Sequence, residues 1–138
     1  MDNLQTNTKV GVLTLTAVGD LTGKEGLLAG MYAGGVRTPD GTTDPTPYVI
    51  IDGNPAPGQV TVLPLSPDTQ VRILAEGAIG RGKLVTTAAS AVGRIRQMPT
   101  SGAGTYPYIG IAEEDGVDGQ AVLIRPWGLG NAKVIPSA

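Results

Sequence analysis

PYVIIDGNPAPGQVTVLP (residues 47–64) and PYIGIAEEDGVDGQAVLIRP (residues 107–126) read as two versions of one β-hairpin. Each opens with Pro-Tyr and a β-branched residue. Each passes through an acidic, glycine-containing turn to Gly-Gln, runs through an apolar strand and stops at proline. Read by these identities, the offset is 60 residues at Tyr48/Tyr108 and 61 at Gly58/Gly119, with one residue inserted in the second turn. A hairpin with one apolar face cannot bury that face alone. Two copies can pack face to face or close on each other. Chance similarity under shared turn chemistry would still leave two hairpins. Upstream, GLLAGMYAGG (26–35) and GKLVTTAASAVG (82–93) read as degraded parts of the same unit.

The flanking sequence extends this pattern. VGVLTLT (10–16) reads as a strand in which Val10 and Val12 share one face while Leu13 and Leu15 share the other. The phase change beside Gly11 marks a bulge. LTGKEGLLAGMYAGG begins with at most one helical turn, because its glycines oppose a longer helix. RTPDGTTDPTP (37–47) is a loop of turn-formers, and VRILAEG, GRGKLVTT and VGRIRQM supply further short strands. TSGAGTYP reads as a flexible turn. The expectation is an all-β domain, a small β-barrel or sandwich built from two related hairpin units, with little helix. It divides into an N-terminal arm (1–9), one β domain (10–128) and a C-terminal tail (129–138).

Composition supports a packed but weakly charged domain. Hydrophobic residues make up 41% of the 138 residues and charged residues only 16%, against an average near 25%. Neutral surface is easier to bury against neighbours. There is no Phe and one Trp, so the core falls to Val, Ile, Leu and Ala, which suit thin β-layers. Cys and His are both absent. Their absence removes disulfides, the commonest transition-metal ligands and the usual general base. The net charge of −2 opposes phosphate-driven binding, so no nucleic-acid partner is expected. No apolar run is long enough to span a bilayer, so no membrane partner is expected, and the N-terminus carries no signal pattern. The chain reads as made in the cytoplasm.

The order of elements resembles the bacteriophage capsid decoration, or cement, proteins. LTLTAVGDLTGKEGLLAGMYAGG, YVIIDGNPAPGQVTVLPL, VRILAEGAIGRGKLVTT and YIGIAEEDGVDGQAVLIRP follow one another as in that family, over about 120 residues. The second hairpin matches at Ile109-Gly110-Ile111-Ala112 and Gly119-Gln120-Ala121-Val122, and the middle turn at Ala78-Ile79-Gly80-Arg81-Gly82-Lys83-Leu84-Val85-Thr86. The first hairpin departs, with Ile50 where the family has glycine or another small residue. The resemblance implies a small, β-tulip-like domain, commonly a homotrimer, on the capsid exterior where major capsid subunits meet. It implies no catalysis and no cofactor.

Other motifs point elsewhere and are weaker. Gly77-Ala78-Ile79-Gly80-Arg81-Gly82-Lys83 satisfies most of a phosphate-binding loop, but Leu84 replaces the metal-binding hydroxyl and a strand follows. A turn between strands is the better reading. Glu113, Glu114, Asp115 and Asp118 form an acidic cluster that is either a cation site or a solvated hairpin tip. Adjacent carboxylates on one turn suit glycoside hydrolysis poorly. Ser66, Ser90 and Ser101 lack a recognisable nucleophile setting. The enzyme alternative is a trimeric nucleotide hydrolase. Val49-Ile50-Ile51-Asp52-Gly53-Asn54 supplies its Ile-Asp pair but neither its glycine nor its tyrosine. A head-fibre or tail β-module is the other alternative.

Six residues are candidates for capsid or subunit contacts. Arg94 and Arg96 share a strand face, as a docking stripe or a solvated surface. Trp127 either anchors a subunit contact or caps the end of the domain. Leu4, Thr6 and Thr8 lie in the arm, which has too few apolar side chains to offset an ordering cost of roughly 1–2 kcal/mol per residue alone. Strand addition to a capsid subunit would order it.

Overall fold

A computed structural model describes residues 11–40, 45–90 and 92–137. Their strands are β1 (Leu13–Thr16), β2 (Leu28–Tyr32), β3 (Gly35–Arg37), β4 (Tyr48–Asp52), β5 (Gln59–Pro64), β6 (Val71–Leu74), β7 (Leu84–Thr87), β8 (Ile95–Gln97), β9 (Gly104–Pro107), β10 (Gly110–Ala112), β11 (Ala121–Pro126) and β12 (Ala132–Ile135). The protein is all-β, with no helix among the described residues. The stretch read as a C-terminal tail carries β12, and the stretch read as a flexible turn carries β9. These two pair, Val134 opposite Thr105.

The duplication covers far more than the hairpins. One five-stranded sheet runs β1-β5-β4-β2-β3 and the other β6-β11-β10-β7-β8. With β6 in place of β1, β7 of β2, β8 of β3, β10 of β4 and β11 of β5, the two orders are the same. The described residues of 11–65 therefore form one unit and those of 70–127 a second, the second carrying β9 as an insertion.

The ladders correct the register inferred from identities. Tyr48 opposes Pro64 and Ile50 opposes Val62, whereas Gly110 opposes Pro126 and Ala112 opposes Ile124. Tyr48 is therefore the counterpart of Gly110, not of Tyr108. The connecting bonds agree. Leu21 N–H donates to the Asn54 carbonyl and Ile79 N–H to that of Gly116, Gly58 to Pro55 and Gln120 to Val117, Leu65 to Pro47 and Trp127 to Ile109. Each pair of acceptors is separated by the same 62 residues, so Gly58 matches Gln120 rather than Gly119. At Tyr48 the slip is two residues, which leaves every side chain on its original face, so alternation cannot detect it. Ile50 likewise has Ala112 as its counterpart, and both are buried.

Each unit has its own core, built from matching positions. Ala17, Leu21, Ala29, Val36, Ile50, Val60 and Val62 pack together in the first. Ala75, Ile79, Val85, Ile95, Ala112, Val122 and Ile124 do so in the second. The open edges of each sheet meet at one parallel bridge, Ala17 with Val36 and Ala75 with Ile95. Alanine at this crossing lets the strands approach. Single bridges are not ladders, so the sheets curl without closing into barrels. The units share core as well: Leu28, Val49, Leu63 and Leu65 pack into the second cluster and Leu74 against the first.

Candidate interaction surface

The acidic turn is held by the second unit itself. Gln70 Nε2 donates to Glu113 at 2.6 Å, and Arg125 Nε approaches the same carboxylate at 3.3 Å. Glu114 accepts from Leu123 N–H at 3.0 Å and from Arg72 at 2.6 Å. Asp115 accepts from Arg81 N–H and Asp118 from Gly77 N–H, at 2.7 and 2.9 Å. The bonds to Glu113 and Glu114 stabilise their charged forms. The Gln70 amide, with Arg125, holds the Glu113 carboxyl below its ordinary range, and the Leu123 amide, with Arg72, does so for Glu114. Asp115 and Asp118 thus lock the 113–118 turn onto the 77–81 turn, while Glu113 and Glu114 tie it to Gln70, Arg72, Leu123 and Arg125. The same contacts bear on the phosphate-loop reading: Gly77 and Arg81 amides face carboxylates, the Gly80 amide donates to Gln97 at 2.9 Å, and β7 follows.

Arg94 and Arg96 flank Ile95, which is fully buried, and both are half-buried. Arg94 reaches the Ala75 carbonyl at 3.5 Å and Arg96 the Thr87 carbonyl at 3.3 Å. The Arg96 guanidinium also lies 5.5 Å from the Tyr106 ring centroid. Its counterpart by register is Arg37, which lies over Tyr32 at 3.8 Å and pairs with Asp40. Both arginines therefore pack on a tyrosine of their own unit.

Trp127 is half-exposed, at 49%. It directly follows β11, with its N–H on the Ile109 carbonyl at 3.1 Å. Its ring meets Tyr108 edge-on at 5.5 Å. Tyr108 in turn lines a cleft of ≈ 390 Å³ with Pro45, Pro47, Leu65, Ile109 and Leu129. Leu129 is exposed, and Val134 on β12 is 67% exposed. The cleft lies where the first unit's Pro45–Pro47 segment faces the β9–β12 sheet. The cleft lining carries no charged side chain, and Trp127 adjoins it through Tyr108. Sequence reasoning found Trp127 but missed Tyr108, Leu129 and Val134. Tyr108 had been assigned to a strand, and the other two to a tail.

The remaining candidates are scattered. Leu4, Thr6 and Thr8 lie outside the described residues. Of the nucleotide-hydrolase run, Val49 and Ile50 are buried in β4, Ile51 sits at a bulge and Asp52 is exposed. Ser90 donates to Glu76 at 2.7 Å, and Glu76 also receives the Ala89 and Ser90 amides, a loop-fastening arrangement. Comparison with protein-family models, curated proteins and solved structures finds no match to this chain.

Proposed function

We propose that the chain is a structural virion protein. It binds the outer surface of a bacteriophage capsid as a homotrimer and stabilises it by bridging major capsid subunits, without catalysis or cofactor. The order of sequence elements suggests the class. The observation that carries the reading in the fold is the uncharged cleft lined by Tyr108 and Leu129, with the half-exposed Trp127 ring against Tyr108, where large apolar side chains are offered to a neighbour. An aromatic anchor ringed by apolar contacts is the usual centre of a protein interface. The carboxylates of the 113–118 turn are occupied in bonds within their own unit, which suits a scaffold.

The mechanism is mechanical. An interface of standard size buries about 1,600 Å². A trimer seated across subunit boundaries would have to release that contact before the subunits separate, and many copies on a shell act together. The test mixes purified chain with undecorated shells. Co-sedimentation to a fixed number of copies per shell, with a raised rupture temperature, is expected. Shells that sediment bare and rupture at an unchanged temperature would reject the reading. A nucleotide turnover assay, expected to be blank, isolates the hydrolase alternative.

A further inference from the structure

The two units of one chain meet through a one-way contact. Leu74 N–H, at the end of β6, donates to the Gly26 carbonyl at 2.9 Å. Leu28 N–H, at the start of β2, donates to the Gly93 carbonyl at 2.8 Å. So the second unit supplies the β6 end and the β7–β8 turn, and the first supplies residues 26–28. The packing is close. A Cβ on Gly26 would lie 3.2 Å from the Leu74 side chain, and one on Gly93 would lie 3.2 Å from that of Leu27.

Each group in this contact has a counterpart in the other unit. Thr16 matches Leu74, because Ala17 N–H donates to Gly58 as Ala75 N–H does to Gln120. Gly82 matches Gly26, because their amides donate to the matched residues Ala112 and Ile50. Leu84 therefore matches Leu28, and Lys83 matches Leu27. Gly34 matches Gly93, each two residues before the matched Val36 and Ile95. The backbone conformations agree, with φ of 86° and 81° at Gly26 and Gly82 and of 90° and 86° at Gly34 and Gly93.

These counterparts do not meet within the chain. A Cβ on Gly82 would find nothing within 4 Å, and one on Gly34 would find only Val18 of its own unit. Among the described residues, the Gly82 and Gly34 carbonyls accept no backbone bond outside the strand ladders, and Leu84 N–H donates none. Along β1 the bonds alternate sides, so Ala17 N–H faces β5 and Thr16 N–H faces outward. The β7–β8 turn is longer than Ala33–Gly34, and its Ala89 and Ser90 amides are fastened to Glu76.

We infer that a second copy of this chain occupies the open half. The Thr16 and Gly34 surface of one copy docks on Gly82–Leu84 of the next, repeating between chains the contact that joins the units within one. Such a head-to-tail contact is heterologous, and it yields a ring when the rotation closes. The inference rests on the duplication, not on the capsid reading. In a closed ring, twice as many units as chains surround the axis, all related by one repeated step.

The chain contains no cysteine, which permits a clean test. Thr16→Cys and Lys83→Cys are made singly and together, with folding checked by circular dichroism. A short bis-maleimide is then added without any shell present. Mixing the two single variants should produce dimers containing one of each, and the double variant should lose its monomer band to larger species. Folded variants that stay monomeric would overturn the inference. So would single variants that crosslink to themselves as efficiently as to each other, since that marks a two-fold contact. Because shells are absent, crosslinking without shell binding would sink only the capsid reading. Shell binding without crosslinking would sink only this one.

Discussion

Trp127 and Tyr108 meet edge-on, their ring planes 79° apart, at a place where the second unit diverges from the first. By register their counterparts are Leu65 and Thr46, one half-buried and one buried. The first unit turns this position inward, with Leu65 packing against the second core. The second unit turns it outward. The chain then reverses over Tyr108 at Gly128, where a Cβ would come within 3.0 Å of the Tyr108 side chain.

Trp127→Ala is therefore expected to affect binding more than folding. Its exposed half contributes little to stability, and the melting temperature should change by only a few degrees. An interface anchor costs about 2 kcal/mol or more when truncated, roughly a thirtyfold loss of affinity. Shell binding by sedimentation, alongside a thermal melt, checks both. A thirtyfold loss accompanied by unfolding would not support the anchor role.

The shared core predicts one unfolding transition rather than two. Leu28 and Val49 belong to the first unit by sequence but to the second by packing. Ile124→Ala should cost about 2–5 kcal/mol through lost burial and a residual cavity. Val62→Ala, at the matching position of the first unit, should cost less. The sole tryptophan lies in the second unit, so its fluorescence reports there. Val62→Ala should still lower the denaturant midpoint seen by Trp127 fluorescence. An unmoved midpoint would mean that the units unfold independently.

The strand-turn class was legible because it rests on local chemistry: β-branched runs such as YVII and turn-formers such as DGNPAPG. The duplication was legible only where the turns resembled each other. Its β2–β3 and β7–β8 portions differ in length and composition, so GLLAGMYAGG and GKLVTTAASAVG hinted at kinship without fixing the register. The Pro-Tyr repeat misled, because Tyr48 and Tyr108 are similar residues at unmatched positions. The cleft was not legible. It needs Pro45 and Leu129, far apart in sequence, to line one cleft beside the β9–β12 sheet. Strand β12 itself is short and lacks the alternation that marks a half-buried strand.

Gly110 tests the corrected register. Its counterpart is Tyr48, which carries a full side chain, so the unit as such does not demand glycine there. At Gly110, however, a Cβ would collide with the Arg125 carbonyl and would lie 2.8 Å from Ile124 Cγ2. Gly110→Ala should cost about 1–3 kcal/mol by overpacking, whereas Tyr48→Ala leaves no such clash. Denaturant unfolding of the two variants compares them. A neutral Gly110→Ala would contradict the close approach of β10 to β11.

The acidic turn predicts a pH dependence with a definite sign. Glu113 and Glu114 are held below their ordinary carboxylate range by the Gln70 amide and Leu123 N–H first, and by Arg125 and Arg72 next. In the unfolded chain both return to the ordinary glutamate range. A group whose folded value is depressed stabilises the fold fully above its unfolded value, and that stability is lost as pH falls through the folded one. The fold should therefore lose stability below the ordinary glutamate range, and not on the alkaline side. Both ion pairs are partly exposed, so added salt should weaken the arginine contributions while leaving the Leu123 and Gln70 hydrogen bonds. The Glu113→Gln/Glu114→Gln double variant should melt lower than the parent at neutral pH. It should then fall less on acidification, so that the two curves converge where the parent's carboxylates are protonated. Melting curves from about pH 7 to about pH 3 measure this directly. Parallel curves at all pH values would show that the charges of Glu113 and Glu114 do not contribute to the stability of the fold.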